Sequence, residues 1–223
     1  MAQRKPPSSP AAQAPLDGIL AFLGQVFRNY RMTGAVLPSS AGLAKAMTHS
    51  LRHDSRPKRL LEVGPGTGSF TRFMLPALRD GDELHIVEIN PIFAKRLDRT
   101  LLQPFRKAHP HISVMLYCQP IQTVPIDGKF DYIICGLPFN NFPPVVVRSI
   151  FRRLLELLTP GGELAYFEYA GVRFMKGPLV GNEGRRRLKR INAMGKVLRR
   201  KHKGRRELVL GNMPPAVAVR LTR

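Results

Sequence analysis

Residues 60–68 read Leu-Leu-Glu-Val-Gly-Pro-Gly-Thr-Gly, an apolar run that breaks into three glycines at alternate positions. Glycine adopts backbone angles that a Cβ forbids, and it lets a ligand come close to the chain. Such a run joins a strand to a helix, and the sequence on either side keeps the same rhythm. Strands are predicted at 59–63, 83–88, 112–117, 132–135 and 163–169, with helices at 69–78, 91–108 and 144–158. That alternation implies a parallel sheet covered by helices on both faces. Two further strands, 207–210 and 216–221, flank Gly211-Asn212-Met213-Pro214-Pro215. At 223 residues the chain suffices for one such domain.

The glycine spacing narrows the ligand. A dinucleotide fingerprint, G-x-G-x-x-G, would place its third glycine at position 69, which is Ser69. Gly64, Gly66 and Gly68 instead follow G-x-G-x-G, with Glu62 just ahead of them. No pyrophosphate is implied; the pattern suits a ligand with an amino-acid end and a cationic centre near Glu62. Glu88 ends the next strand, where a carboxylate accepts hydrogen bonds from ribose hydroxyls in nucleoside-binding α/β folds.

Charge and amphipathic pattern bear on partners. Thirty-six Lys and Arg against 15 Asp and Glu give a net charge of +21, which a large anionic partner would relieve. Twelve of the cations stand between Gly184 and Arg206 with no acid among them, and Leu188, Ile191, Met194 and Leu198 fall along one side. A cationic amphipathic helix is expected there, within an inserted basic segment at 176–206. Leu16, Ile19, Leu20, Leu23, Val26, Phe27 and Tyr30 share one face of a predicted N-terminal helix. Residues 1–14 read as a mobile tail, 15–52 as N-terminal helices serving membrane binding or covering the cofactor, and 53–223 as the main domain. No stretch reaches the ~18 apolar residues of a membrane span. Cys118 and Cys135 have no metal-ligand or disulfide spacing, and both are expected to be buried and inert.

Residues 59–169 resemble the class I S-adenosylmethionine-dependent methyltransferases, through LEVGPGTG at 61–68 taken with its preceding strand, and through the Thr159-Pro160-Gly161-Gly162 turn. The resemblance implies a Rossmann-like α/β fold with a mostly parallel seven-stranded sheet, and S-adenosylmethionine as cofactor. Gln119 stands where many members carry an acid; its side-chain oxygen can still accept from an adenine amino group. At the end of the fourth strand, Gly136-Leu137-Pro138-Phe139-Asn140 takes the place of the acceptor loop. In adenine-N6 methyltransferases an amide or acid in this loop binds the base, whereas Gly136 has no side chain to do so.

Three stretches, 34–40, 136–143 and 212–216, make the chain similar to the bacterial phospholipid N-methyltransferases and to ornithine-lipid N-methylation enzymes. That likeness implies methylation of phosphatidylethanolamine towards phosphatidylcholine, or of ornithine lipid, by a cytoplasmic protein peripheral to the inner face of the membrane. An anionic membrane surface and an aminolipid are the implied partners, and no metal. The alternative is an rRNA adenine-N6 dimethyltransferase, with nucleic acid as partner. The implied cofactor contacts are Tyr30, Ser39, Ser40, Glu62, Gly64, Gly66, Gly68, Glu88, Ile89, Gln119 and Pro120. Gly136, Leu137, Pro138, Phe139, Asn140 and Tyr169 form the implied acceptor site, with Phe139 and Tyr169 holding the methylated ammonium by cation–π attraction.

Overall fold

The computed structural model describes residues 39–170 and 182–223. The tail, the predicted helix at 16–30 and Tyr30 lie outside them, as does the start of the basic insertion. Among the described residues no helix is long and apolar enough to cross a membrane.

One seven-stranded sheet organises the chain, in the order β3-β2-β1-β4-β5-β7-β6. β1 (Arg59–Val63), β2 (Glu83–Val87), β3 (Ser113–Tyr117), β4 (Phe130–Cys135) and β5 (Leu158–Tyr169) run parallel. β6 (Arg205–Val209) and β7 (Ala216–Thr222) form a hairpin, and β7 enters antiparallel between β5 and β6. Leu60, Leu61, Leu84, Ile86, Ile133 and Ile134 are at most 1% exposed, as strands covered on both faces require. At the amino edge, buried Lys58 and Asp82 pair at 2.7 Å, and Asp82 also accepts the backbone N–H of Lys58 and of Arg79. A charge so far from water needs this many partners.

The helices follow the sequence with instructive exceptions. α1 (Ala41–Met47) is capped by Ser40, whose side chain accepts from the Leu43 N–H. Leu43, Ala44 and Met47 lie in the core against Ala216 and Ala218 of β7. α1 therefore packs in the same core as the sheet. α2 (Thr71–Met74) tightens into a 3-10 turn at Leu75–Ala77, where Pro76 removes a donor. The helix expected at 91–108 is α3 (Pro91–Leu97) and α4 (Gln103–Ala108) joined by a π turn, Asp98–Leu102. Pro104 cannot donate into an α ladder, and the wider turn just before it accommodates that loss.

α5 (Pro144–Leu157) buries Val146, Val147, Ile150, Phe151, Leu154 and Leu157 along one stripe. It passes straight into β5, because Leu158 already pairs with Phe130. The 159–162 turn is therefore a bulge within β5, with Gly161 at φ +79°. The basic helix, α6 (Asn182–Lys201), ends beside β7, where the His202 carbonyl accepts the Thr222 N–H. Cys135 is buried, but Cys118 is exposed; it lies one residue past β3, at the sheet's open edge.

Candidate active site

The parallel register brings the carboxyl ends of four strands level. Val63 pairs with Val87 on one side and Cys135 on the other, and Val87 pairs with Tyr117. The loops beyond them stay bound to one another. The Gly64 N–H donates to the Val87 carbonyl (2.9 Å), and the Gly136 N–H to the Val63 carbonyl (2.8 Å).

Glu62 is wholly buried beneath these loops. Its Oε2 accepts from the Thr71 hydroxyl at 2.7 Å, while Oε1 has no partner among the described residues. Desolvation pushes its carboxyl up to about 8; the Thr71 bond opposes this and the nearby Glu88 adds to it. Glu88 is 1% exposed, and burial raises its carboxyl too. Its Oε2 accepts from Gly66 N–H (3.0 Å) and its Oε1 from Asn90 N–H (2.9 Å). Each oxygen keeps a second lone pair for a ligand hydroxyl. Ile89, Gln119 and Pro120 are half-buried just past the ends of β2 and β3, on the same side of β1 as Glu88.

The glycines serve different ends. Gly64 has φ +71°, and a Cβ there would lie 2.4 Å from the Leu137 side chain, which closes over it. A Cβ on Gly68, at φ +82°, would strike Leu97 and Leu101. Gly66, at φ +56°, faces open space. Open backbone at Gly66, with Glu88 bonded to it and the unpartnered Oε1 of Glu62 buried under the same loops, suits a ligand carrying both a nucleoside and a cationic amino-acid end. S-adenosylmethionine fits that description.

Gly136 acquires a physical reason. A Cβ there would sit 2.6 Å from the Gly64 carbonyl oxygen and 3.3 Å from the Phe70 ring. The two loops approach too closely for any side chain, so an amide is sterically barred as well as missing. Leu137 and Phe139 are 7% and 4% exposed, and Pro138 and Asn140 are half-buried. Phe139 packs against Phe151 (4.5 Å between centroids) and Tyr166 (5.9 Å). Tyr169 instead packs edge-on against Phe167 at 5.2 Å. Tyr166 and Phe167 are neighbours in one strand and face opposite ways. Phe139 and Tyr169 thus stand on opposite faces of β5, and the cage expected of the pair is not formed.

Two stretches far apart in sequence meet at this edge. Asn212 is 4% exposed; its Oδ1 accepts from the Ser40 N–H (2.8 Å) and its Nδ2 donates to the Pro214 carbonyl (2.7 Å). Pro215 accepts from the Ala170 N–H at the end of β5. Half-buried Ser39 and the capping Ser40 therefore belong to the same corner as Asn212, across β4 and β5 from Glu88. Thr71, Phe70 and Asn90 were not legible as site residues. A hydroxyl in the first turn after the glycine loop was the available signal for Thr71.

Residues 61–164 match the methyltransferase domain family, and the methyl donor is S-adenosylmethionine. The chain is 25% identical over 141 residues to an ornithine lipid N-methyltransferase of Singulisphaera acidiphila, covering 63% of this chain and 72% of that one. It is 30% identical over 107 residues to ribosomal RNA small subunit methyltransferase A of Rhodococcus erythropolis, covering 47% of this chain but 34% of the relative. Among solved structures, the O-methyltransferase TomG of Streptomyces achromogenes, in complex with SAM, superposes with a TM-score of 0.61 at 17% identity (92% and 89% of the two chains). A Bacillus cereus O-methyltransferase, in complex with SAH, gives 0.62 at 14% identity (92% and 91%). These structures share the methyltransferase's fold.

Proposed function

We propose that this methyltransferase acts on the amine headgroup of a membrane lipid. The observation that carries the reading is the likeness to the ornithine lipid enzyme, which extends over 72% of that protein. Two features of the chain support it. Gly136 is closed to any base-reading side chain, and α6 presents Arg185, Arg186, Arg187, Lys189 and Arg190 in succession. Cations near an anionic leaflet contribute ~1 kcal/mol each. On this reading the protein works at the membrane surface without spanning it.

The donor supplies a methyl group on a positively charged sulfur. The nitrogen lone pair forms the new bond to carbon as the carbon–sulfur bond breaks, its electrons staying on sulfur. A free alkyl amine, with a pKa of ~10.4, must first lose its proton. The loop 136–143 contains no acid and no histidine, so desolvation favours the neutral amine and positioning supplies most of the acceleration.

The rRNA reading draws on the Rhodococcus relative and on the same positive charge. Purified protein with labelled S-adenosylmethionine, offered vesicles of phosphatidylethanolamine and phosphatidylglycerol or ribosomal RNA, separates the two. Label is expected in the lipid fraction. Label confined to RNA overturns the proposal.

A further inference from the structure

α5 and α6 lie side by side on one face of the sheet and leave a groove of about 830 Å³ between them. Its walls are apolar: Val145, Phe151 and Leu155 from α5 face Met194, Val197 and Leu198 from α6. Val145 and Val197 are 64% and 63% exposed, although burial would stabilise each side chain. Three guanidinium groups, those of Arg148, Arg152 and Arg190, line the same groove. Arg152 pairs with Glu156, but Arg148 and Arg190 make no ion pair with any described residue.

Length and position say what such a groove would hold. The α5 wall runs from Pro144 to Leu155, about 16 Å at 1.5 Å per residue. Half of a bilayer's hydrocarbon core is about 15 Å, so the wall is one leaflet deep. Its upper end, Pro144, directly follows the acceptor loop, and Phe151 within it packs on Phe139 of that loop. Next to it, Asn140 lines a smaller recess with Ile191, Asn192 and Gly195 of α6. The groove therefore leads towards the site of methyl transfer.

We propose that the α5–α6 groove binds the acyl chain of the lipid substrate, with Arg148 and Arg190 receiving the phosphate or carboxylate of its headgroup. The inference rests on the lipid reading above and adds to it a location. An apolar trough lined by cations complements a chain that ends in an anion. A nucleic acid would use the cations and leave the trough empty.

The test follows binding, without turnover. Protein labelled at its methionine methyls is titrated with dodecyl phosphate below its micelle concentration, with butyl phosphate and with inorganic phosphate, while the Met194 signal is recorded. Dodecyl phosphate is expected to shift Met194 saturably and to bind at least tenfold more tightly than butyl phosphate. Ala193→Trp, which fills the trough from an exposed position, and Val197→Glu should each weaken it at least tenfold while leaving S-adenosylmethionine binding unchanged. Equal affinity for the three phosphates, or equal binding by both variants and the parent, overturns the groove. So does a parent dimer that Ala193→Trp makes monomeric without any response to dodecyl phosphate, since a second copy would then be the occupant. Failure here with label still entering lipid removes the groove alone. Tight dodecyl phosphate binding with label only in RNA removes the lipid reading and leaves the groove as an acyl-chain site.

Discussion

At the carboxyl edge of β1 and β2, Glu62 and Glu88 are 0% and 1% exposed, and three of their four oxygens are bonded within the protein. On the outer faces of α5 and α6, Val145 and Val197 are more than half exposed beside Arg148 and Arg190, which make no ion pair among the described residues. The first region holds ionisable carboxyls away from water, and the second holds hydrocarbon out in it. Each arrangement is unfavourable for an isolated protein. Each becomes favourable once a ligand of the opposite character arrives: a cation and hydroxyls at the first, a chain with an anionic end at the second.

The contrast predicts a graded set of outcomes. Gly64→Val should have the largest effect, because it combines a left-handed backbone with a 2.4 Å clash against Leu137. A destabilisation of about 3 kcal/mol or more is expected, seen as an earlier denaturant midpoint, with loss of donor binding by calorimetry.

Glu62→Gln comes next, and its effect depends on pH. The folded Glu62 carboxyl sits at about 8 against an ordinary 4.5, so the folded chain keeps a proton that the unfolded chain has lost. Stability therefore falls as pH rises from about 4.5 to about 8 and levels off above that. Glu62→Gln should remove a part of this fall on the order of a few kcal/mol, while Glu88 leaves a residual slope of the same sign. Donor affinity in the parent should rise with pH up to about 8, as the ionised carboxylate becomes available to the donor's cationic end. The variant should bind at least tenfold more weakly and lose that component. A parent whose stability is flat across this range would break the comparison at its first term.

Asn212→Ala should cost about 1–3 kcal/mol by chemical denaturation, since it leaves the Ser40 N–H without its partner. Arg152→Ala should change stability by less than ~0.5 kcal/mol, because its pairing with Glu156 is a solvated contact between neighbouring turns. A larger loss would mean that the rim of the groove is more tightly built than its exposure suggests.

Much of the sheet was legible because its strands are short apolar runs punctuated by glycine and proline. β1 is predicted at its observed bounds, and β2 to within one residue. Glu62 and the glycines stood out because their chemistry is local, set by neighbours in sequence. Phe139 and Tyr169 misled for the opposite reason. Both sit near strand ends, but which face a ring takes depends on strand parity and on the helix opposite, and Phe151 and Tyr166 settle it for Phe139. The Ser40–Asn212 bond spans 172 residues, and no local pattern could announce it. Cys118 fell outside its strand by a single residue, enough to turn a buried thiol into an exposed one.

The place of β7 bears on the order in which the protein can form. It is the seventh strand in sequence but lies between the fifth and sixth, and α1 packs against it. On the ribosome, α1 emerges long before residues 216–222, the strand it packs against most, and finds only β5 and the earlier core strands to rest on until then. Part of its apolar side stays in water over that interval, in which a chaperone or a neighbouring nascent chain could cover it.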